Sequence, residues 1–188
     1  MLGSDRNIRS EFSPEVQFLR EFRHQEVMQT SAGREFMGVF NAWYYSFSPS
    51  VANFIANNPT VKAAMNVLLY PLVGILHLSA SAYAAFNFNP ELAVCIAGLV
   101  SSGMIGIVYF SPLTLLALAV LRRTRKLNVS MRNVVPLAYI WAASVGFMIL
   151  SILTLSPVVM MASSAIFVLT TIGLTALSTA LKILQRFP

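Results

Sequence analysis

The side chain in this sequence best placed for chemistry is His77, which lies inside a long uncharged stretch. An ionisable group in an apolar stretch of membrane-spanning length is a functional candidate by default. Three interpretations stay open: a neutral imidazole hydrogen-bonded by Ser79, Ser81 or Tyr83, a contact with a partner subunit, or a proton or metal ligand. Metal sites need three or four converging ligands and a haem often two, which one histidine cannot supply.

No other group of residues suggests a catalytic centre. The second histidine, His24, lies in a different region, and we interpret Cys95 as a small buried side chain. The sequence has no Gly-rich loop followed by Lys-Ser/Thr, no His-Glu-x-x-His and no Cys-x-x-Cys. We therefore predict no catalytic residue, metal or cofactor and no nucleic-acid partner, and the sequence identifies no small-molecule substrate.

Small residues point to helix packing instead. Gly98, Ser102 and Gly106 recur every four residues, a spacing that lets two helix backbones approach closely in a membrane. This ridge either holds the chain's own helices together or docks the protein against other membrane subunits. Both alternatives stay open from the sequence.

The elements that position these residues are predicted from composition. Of 188 residues, 56% are hydrophobic and 11% are charged, whereas soluble domains carry about 25% charged residues. The uncharged stretches 63–90, 92–121 and 133–181 are long enough for helices that cross a bilayer, which takes about 20 apolar residues. The fold class is therefore an all-α, multi-pass membrane protein.

We predict four transmembrane helices, near 66–86, 92–111, 134–154 and 158–180. Ser156-Pro157 divides the longest uncharged stretch, since proline suits the first turn of a new helix and serine its cap. Pro71 is expected to kink the first span. After Pro112, residues 113–121 either extend the second span or lie along the interface.

The orientation follows from the Lys and Arg residues, which favour the cytoplasmic side. With four spans, all 13 Lys/Arg share one side, and Glu91 lies alone on the other. We therefore expect a cell-membrane protein with both termini in the cytoplasm. A basic segment determines this topology and could also attract lipid head groups. Its residues are Arg122, Arg123, Arg125, Lys126 and Arg132.

Residues 1–62 are predicted to form short amphipathic helices near the membrane. Ser13-Pro14-Glu15 is a typical helix start, and Thr30-Ser31 indicates a new cap. Ser48-Pro49 is expected to separate helices near 31–47 and 49–57. Aromatic residues recur at helical spacing, either on a helix in the interface plane or as a stripe that packs against neighbouring helices. They are Phe36, Phe40, Trp43, Tyr44 and Phe47.

Residues 13–78 resemble the Cys-Phe-Ile box (CFI-box) family, and the continuation after residue 75 is similar to its archaeal-type members. The shared run is Ser13-Pro14, Val16, Leu19-Arg20, Phe22-Arg23, Gly33-Arg34, Phe36, Tyr44-Tyr45, Ser48-Pro49, Val51-Ala52 and Phe54-Ile55. The box that names the family is missing, because residues 4–12 read SDRNIRSEF without a cysteine. The resemblance implies a membrane domain with several spans and no particular activity.

Two functional hypotheses follow. The first is a non-catalytic structural or accessory protein, whose partners are the lipid bilayer and other membrane protein subunits. The archaeal-type resemblance suggests a host such as a copper membrane monooxygenase, for example ammonia monooxygenase. The alternative is a small transporter or channel component, supported by His77 and the proline at position 71. An intramembrane enzyme is disfavoured because no nucleophile, base or metal set is assigned.

Overall fold

The computed structural model describes residues 13–125, 131–154 and 156–186, which form helices and no strand. Seven α-helices follow one another along the chain, with a π-helical turn at Gly106–Phe110 between the fourth and fifth. They are α1 (Ser13–Gln25), α2 (Ser31–Ala56), α3 (Pro59–Ala85), α4 (Pro90–Ile105), α5 (Ser111–Arg125), α6 (Val135–Thr154) and α7 (Pro157–Arg186). Short 3-10 turns lie at Val27–Gln29 and Met131–Val134.

Four helical segments are long and apolar enough to cross a membrane, which confirms the predicted fold class. They are Pro59–Ala85, Pro90–Thr124, Arg132–Thr154 and Pro157–Arg186. Each overlaps one of the predicted spans, because a run of apolar residues without charges determines where such a helix lies. The predicted division at Ser156-Pro157 is also confirmed, since α6 ends at Thr154 and α7 begins at Pro157.

The central helix of the bundle is α7. In the most apolar stretch of α7, 33% of the residues are buried inside the bundle, whereas in that of α3 only 12% are. Its buried face carries Ser163, Ser164, Thr170 and Thr171 among apolar residues. Small hydroxyl side chains allow close packing and satisfy themselves by donating to carbonyls of their own helix, as Ser163 Oγ does to Val159 O at 2.7 Å.

One sequence expectation about helix ends is wrong. Ser48-Pro49 does not separate two helices, because α2 continues from Ser31 to Ala56 with Pro49 inside it. A proline removes one backbone hydrogen bond and does not by itself end a helix whose ends are held. Both ends of α2 are held, by the Thr30 cap and by Asn58, whose Nδ2 donates to Phe54 O at 2.7 Å.

The segment after Pro112 extends the second span as helix α5. The π-helical turn Gly106–Phe110 lies directly before this proline, and Ser111 N–H donates to Gly106 O, five residues back. Proline has no N–H and clashes with the carbonyl four residues earlier in a regular α-helix. The wider π turn accommodates this change, so Pro90–Thr124 forms one continuous span.

The described N-terminal and C-terminal segments lie at opposite ends of the bundle. Ala32 and Ala93 share a buried cluster with Met160, near the start of α7. Leu118 packs with Leu181 in a second cluster, near the end of α7. Residues 13–35 therefore lie at the opposite end of the bundle from the described end of α7, because α2 runs along the bundle as a further long helix. The sequence expectation places the N-terminal region and the C-terminus on one side.

Helix α2 runs between these two ends, antiparallel to α3. Its first residue, Ser31, contacts Glu91, and its last, Ala56, is joined to Pro59 by a two-residue turn. Helix α3 begins there and returns to Ala85, close in sequence to Glu91. At 1.5 Å per residue, the 26 residues of α2 extend about 39 Å. We call the two ends of the bundle the Glu91 end and the basic end.

Candidate functional site

A long-range contact at the Glu91 end holds the start of α2. The Glu91 carboxylate accepts hydrogen bonds from Ser31 N at 2.6 Å and from Ala32 N at 3.3 Å. Glu91 itself lies in the first turn of α4, which Asn89 caps by accepting from Leu92 N. One carboxylate therefore faces the positive ends of two helix dipoles, an arrangement that stabilises both.

Residues on α2 complete the same cap. Thr30 Oγ1 accepts from Gly33 N at 3.1 Å and donates to Val27 O at 2.8 Å, and Arg34 N donates to Thr30 O. The first four backbone N–H groups of α2 all have acceptors, which a helix start inside a protein requires. Gly33 is needed here, because a Cβ at this position would lie 2.6 Å from Thr30 Oγ1. We call this arrangement the Glu91 clasp.

The two ends of the bundle differ sharply in charge. Residues 62–188 contain eight Lys and Arg but a single acid, Glu91. Glu91 lies at the opposite end of the bundle from those Lys and Arg side chains that the structure describes. The described side chains at the Glu91 end are Arg20, Arg23, Arg34, Glu21, Glu26, Glu35 and Glu91. Those at the basic end are Lys62, Arg122, Arg123, Arg132, Lys182 and Arg186. Within the bundle, Glu91 therefore lies at the same end as three other Glu and three Arg side chains.

The three residues of the predicted small-residue ridge have different surroundings in the structure. Gly106 meets α7, because a Cβ there would lie 2.6 Å from Ile172 O. Ser102 is buried, with its hydroxyl directed to Gly98 O. Gly98 faces open space, with no atom within 4 Å of a Cβ. The ridge thus holds the chain's own helices together at Gly106 and leaves Gly98 on the surface.

The predicted aromatic stripe lies on an exposed face of α2. Phe36, Phe40 and Tyr44 stack along the helix with ring centroids about 6 Å apart, and Phe47 contacts Trp43 edge-on at 4.8 Å. Helix α2 lies along the bundle and not across its end, as a helix in the interface plane would. The rings contact one another, and apart from the half-buried Phe36 they are 36–60% exposed, so they are not core.

Tyr45 extends this exposed face, and we define the aromatic surface as Phe40, Trp43, Tyr44, Tyr45 and Phe47. The most exposed of its rings are Trp43 at 60% and Tyr45 at 64%. Among the hydrogen bonds of the described residues, none involves the side chains of Trp43, Tyr44 or Tyr45. These are large rings with polar tips that lack a hydrogen-bond partner among the described residues.

His77 lies in an open groove between α1 and α3, where its ring stacks on Phe18 with centroids 4.6 Å apart. Two of the hydroxyls expected to hydrogen-bond the imidazole, those of Ser79 and Ser81, are engaged elsewhere. Ser79 donates to Ala97 O at 2.8 Å, and Ser81 donates to the backbone carbonyl of His77. Tyr83 contacts Phe22 edge-on. The histidine is thus a half-buried ring that helps to dock α1 at the Glu91 end.

Cys95 and Met160 take part in packing. Cys95 is half-buried against the cluster that contains Ala93 and Met160, and the thiol is free. Met160 is 3% exposed, with its sulfur 3.4 Å from Ser151 Oγ. Among the described residues, no three His, Cys, Asp or Glu side chains gather closely enough to hold a metal ion.

The basic segment of the sequence falls at the end of α5 and the start of α6. Arg122 and Arg123 lie in the last turn of α5, with Arg122 half-buried and Arg123 exposed. Arg125 ends the same helix, and Arg132 lies in the 3-10 turn before α6. Lys126 lies outside the described residues.

No protein-family model, curated protein or solved structure matches this chain. Its function is therefore inferred from the geometry above and from the sequence.

Two functional contacts were missed by sequence reasoning. Glu91 carries a local signal, an acid in the first turn of a helix after Asn89-Pro90, but its partner Ser31 is 60 residues away. The docking of Phe18 on His77 likewise joins two segments 59 residues apart. Periodicity describes one helix at a time and does not report such pairings.

Proposed function

We propose that this protein is a non-catalytic accessory subunit of a larger membrane complex, and that it binds its partner through the aromatic surface of α2. The observation that carries the proposal is the position of three polar-tipped rings, Trp43, Tyr44 and Tyr45, on an exposed face at the middle of α2. The partner is another membrane-spanning protein.

The depth of these rings supports a protein partner over lipid. Trp43 lies 12 residues from the start of α2, about 18 Å along a helix of about 39 Å. Tryptophan and tyrosine that face lipid concentrate at the two membrane interfaces, where water or head groups satisfy their polar atoms. Acyl chains at mid-depth offer no acceptor for a tyrosine hydroxyl or an indole N–H, whereas a second protein does.

We also propose that α2 crosses the membrane as a fifth span. It carries no charged residue from Phe36 to its end at Ala56, it is long enough to cross, and it packs along α7 and α3. It is less apolar than the other four spans, because its exposed face carries the tyrosines, Asn53 and Ser50. A partner that covers this face would offset the cost of placing those polar groups in the membrane.

The same five-span arrangement gives an orientation. The basic end carries six described Lys and Arg side chains and no acid, whereas the Glu91 end carries three Arg and four Glu. By the positive-inside rule we place the basic end and the C-terminal segment in the cytoplasm of the cell, and α1 on the other side of the cell membrane.

The resemblance to archaeal-type CFI-box proteins is consistent with this role, since it implies a membrane domain with several spans and no particular activity. We propose an oligomeric membrane enzyme as host, and a copper membrane monooxygenase such as ammonia monooxygenase is the candidate we would test first.

The proposal is tested by site-specific photo-crosslinking in native membranes. A benzophenone side chain at Tyr45 should crosslink to one reproducible membrane protein, which mass spectrometry identifies. The matched control is Tyr139 on α6, which is 73% exposed but belongs to another helix. We expect the Tyr45 crosslink and no crosslink of the same mass from Tyr139.

A second readout uses affinity purification in a mild detergent. The double variant Trp43→Leu/Tyr45→Leu should no longer co-purify with the partner identified by crosslinking, although it keeps the thermal stability of the wild type. The variant Tyr139→Leu should still co-purify with that partner. A wild-type protein that purifies as a lone, monodisperse monomer and gives only lipid crosslinks at Tyr45 would overturn the accessory role.

A further inference from the structure

The basic end contains a positive charge that nothing in the described chain neutralises. The guanidinium Nε of Arg122 is buried and has no hydrogen-bond partner among the described residues. A buried N–H of a charged group without an acceptor is costly, so native proteins supply one or leave room for a ligand that does. The sequence has no acid after Glu91, so no carboxylate side chain of residues 92–188 is available for this purpose.

Three chain segments bring a cation to the rim of one apolar cluster at this end. Leu118, Ala180 and Leu181 are buried there, with Val134 and Leu184 packed against them. Arg122 follows Leu118 by one helical turn, Arg132 precedes Val134 by two residues, and Lys182 follows Leu181. Because the three apolar residues are in one cluster, we infer that their basic neighbours lie around its rim.

The position of this rim matches the head-group region of a bilayer. Arg122 lies 31 residues after Glu91 along one continuous span, which corresponds to about 46 Å of helix. A bilayer is roughly 40–45 Å thick when its head groups are included. A side chain at this height meets lipid phosphates.

We propose that Arg122, with Arg132 and Lys182, forms a binding site for the phosphate of an anionic phospholipid. A guanidinium can donate two parallel hydrogen bonds to phosphate oxygens, and phosphate would supply the acceptor that Arg122 Nε lacks. The apolar cluster beneath the cations would contact the first carbons of the acyl chains. This site is independent of the proposed partner on α2, which lies on a different helix.

The test is native mass spectrometry of the full-length protein in detergent micelles with dioleoyl phosphatidylglycerol or dioleoyl phosphatidylcholine added. The wild type should retain phosphatidylglycerol in preference to phosphatidylcholine. Arg122→Gln should reduce that preference about fivefold, the effect expected for one cation near an anionic lipid surface. Arg132→Gln should reduce it in the same direction.

The matched control is Arg123→Gln, which removes the same charge from the neighbouring, exposed position. If the basic residues only determine topology, the two variants should show the same preference for phosphatidylglycerol. If Arg122 forms a lipid site, only Arg122→Gln should lose that preference. Size-exclusion chromatography and thermal unfolding verify that both variants fold.

Equal loss in Arg122→Gln and Arg123→Gln, or a wild type without preference for phosphatidylglycerol, would overturn the proposal. Addition of inorganic phosphate without lipid distinguishes the other source of the same group. If inorganic phosphate stabilises the wild type against heat and phosphatidylglycerol does not, the ligand is a free phosphate and the lipid site is rejected.

Discussion

The Glu91 carboxylate and the Ser31 amide, 60 residues apart in sequence, form a 2.6 Å hydrogen bond that joins the start of α4 to the start of α2. This contact places the N-terminal helices at the end of the bundle opposite the basic residues. It also gives α2 a fixed beginning, from which its aromatic surface extends to mid-depth. The stability of the protein should depend on this hydrogen bond.

Glu91→Gln should lower the apparent free energy of unfolding by about 1–2 kcal/mol, because an amide accepts a weaker hydrogen bond from Ser31 and carries no charge for the helix dipoles. Thermal unfolding in detergent, followed by circular dichroism, measures the change. Glu21→Gln, at an exposed position of α1, is the control and should leave stability within about 0.5 kcal/mol. Equal stability of the two variants would show that the clasp does not hold α2.

The proposed five-span arrangement predicts the labelling of single cysteines introduced into a Cys95→Ser background. Cysteines at Gln25 and Phe88, both exposed, should react with an impermeant maleimide from the same side of sealed vesicles. A cysteine at the exposed position Gln185 should react from the opposite side. Labelling of the cysteines at positions 25 and 185 from the same side would contradict the arrangement, because residues on the same side are separated by an even number of membrane crossings.

Two glycines of one ridge should respond oppositely to alanine. Gly106→Ala brings a Cβ to within 2.6 Å of Ile172 O, so α4 and α7 must separate, at a cost of roughly 1–3 kcal/mol. Gly98→Ala meets open space and should stabilise by up to about 1 kcal/mol, since alanine favours a helix over glycine. Unfolding of the two variants side by side gives the comparison. Destabilisation by Gly98→Ala would indicate a close contact at that position.

Phe18→Ala should loosen the docking of α1 on α3. A stacked aromatic pair contributes about 0.5–1.5 kcal/mol, so cleavage of the folded protein by trypsin after Arg20 or Arg23 should become roughly 2- to 12-fold faster. His77→Phe keeps a ring in the stack and should leave the cleavage rate unchanged. An increase with His77→Phe as large as that with Phe18→Ala would assign a further role to the imidazole.

His77→Phe also separates the transporter alternative from the accessory role. The imidazole lies in a groove between α1 and α3 and not in the buried clusters of the bundle. We expect any ion or solute flux in proteoliposomes to be the same for the wild type, His77→Ala and His77→Phe. A flux in the wild type that both variants abolish would favour a transporter or channel component.

The sequence was sufficient to predict the four apolar spans, because each depends on one uninterrupted run of apolar residues. The start of a new helix at Pro157 could be predicted for the same reason, because its signal lies in two neighbouring residues. The error at Pro49 arose because a Ser-Pro pair is a frequent helix start, and the sequence does not show that both ends of α2 are anchored. Near Pro112, the sequence left open two outcomes that the π turn at Gly106–Phe110 decides.

The position of the N-terminal helices within the bundle could not be predicted in the same way. Helix α2 is only moderately apolar, so a hydropathy criterion omits it and the number of passes becomes even. The decisive observation is the pairing of Glu91 with Ser31 and Ala32. Pairings between distant residues depend on how helices assemble, which one-dimensional patterns do not encode.

The Glu91 clasp also sets an order of events during synthesis. Ser31 leaves the ribosome 60 residues before Glu91, which takes about 3–12 s at 5–20 residues per second. During that interval the Glu91 carboxylate that accepts hydrogen bonds from the first amides of α2 has not yet been synthesised, so the start of α2 lacks its anchor. Helix α2 should therefore take its final position only after α3 and the beginning of α4 have been synthesised. Assembly of the bundle then proceeds from the middle of the chain back to its N-terminal helices.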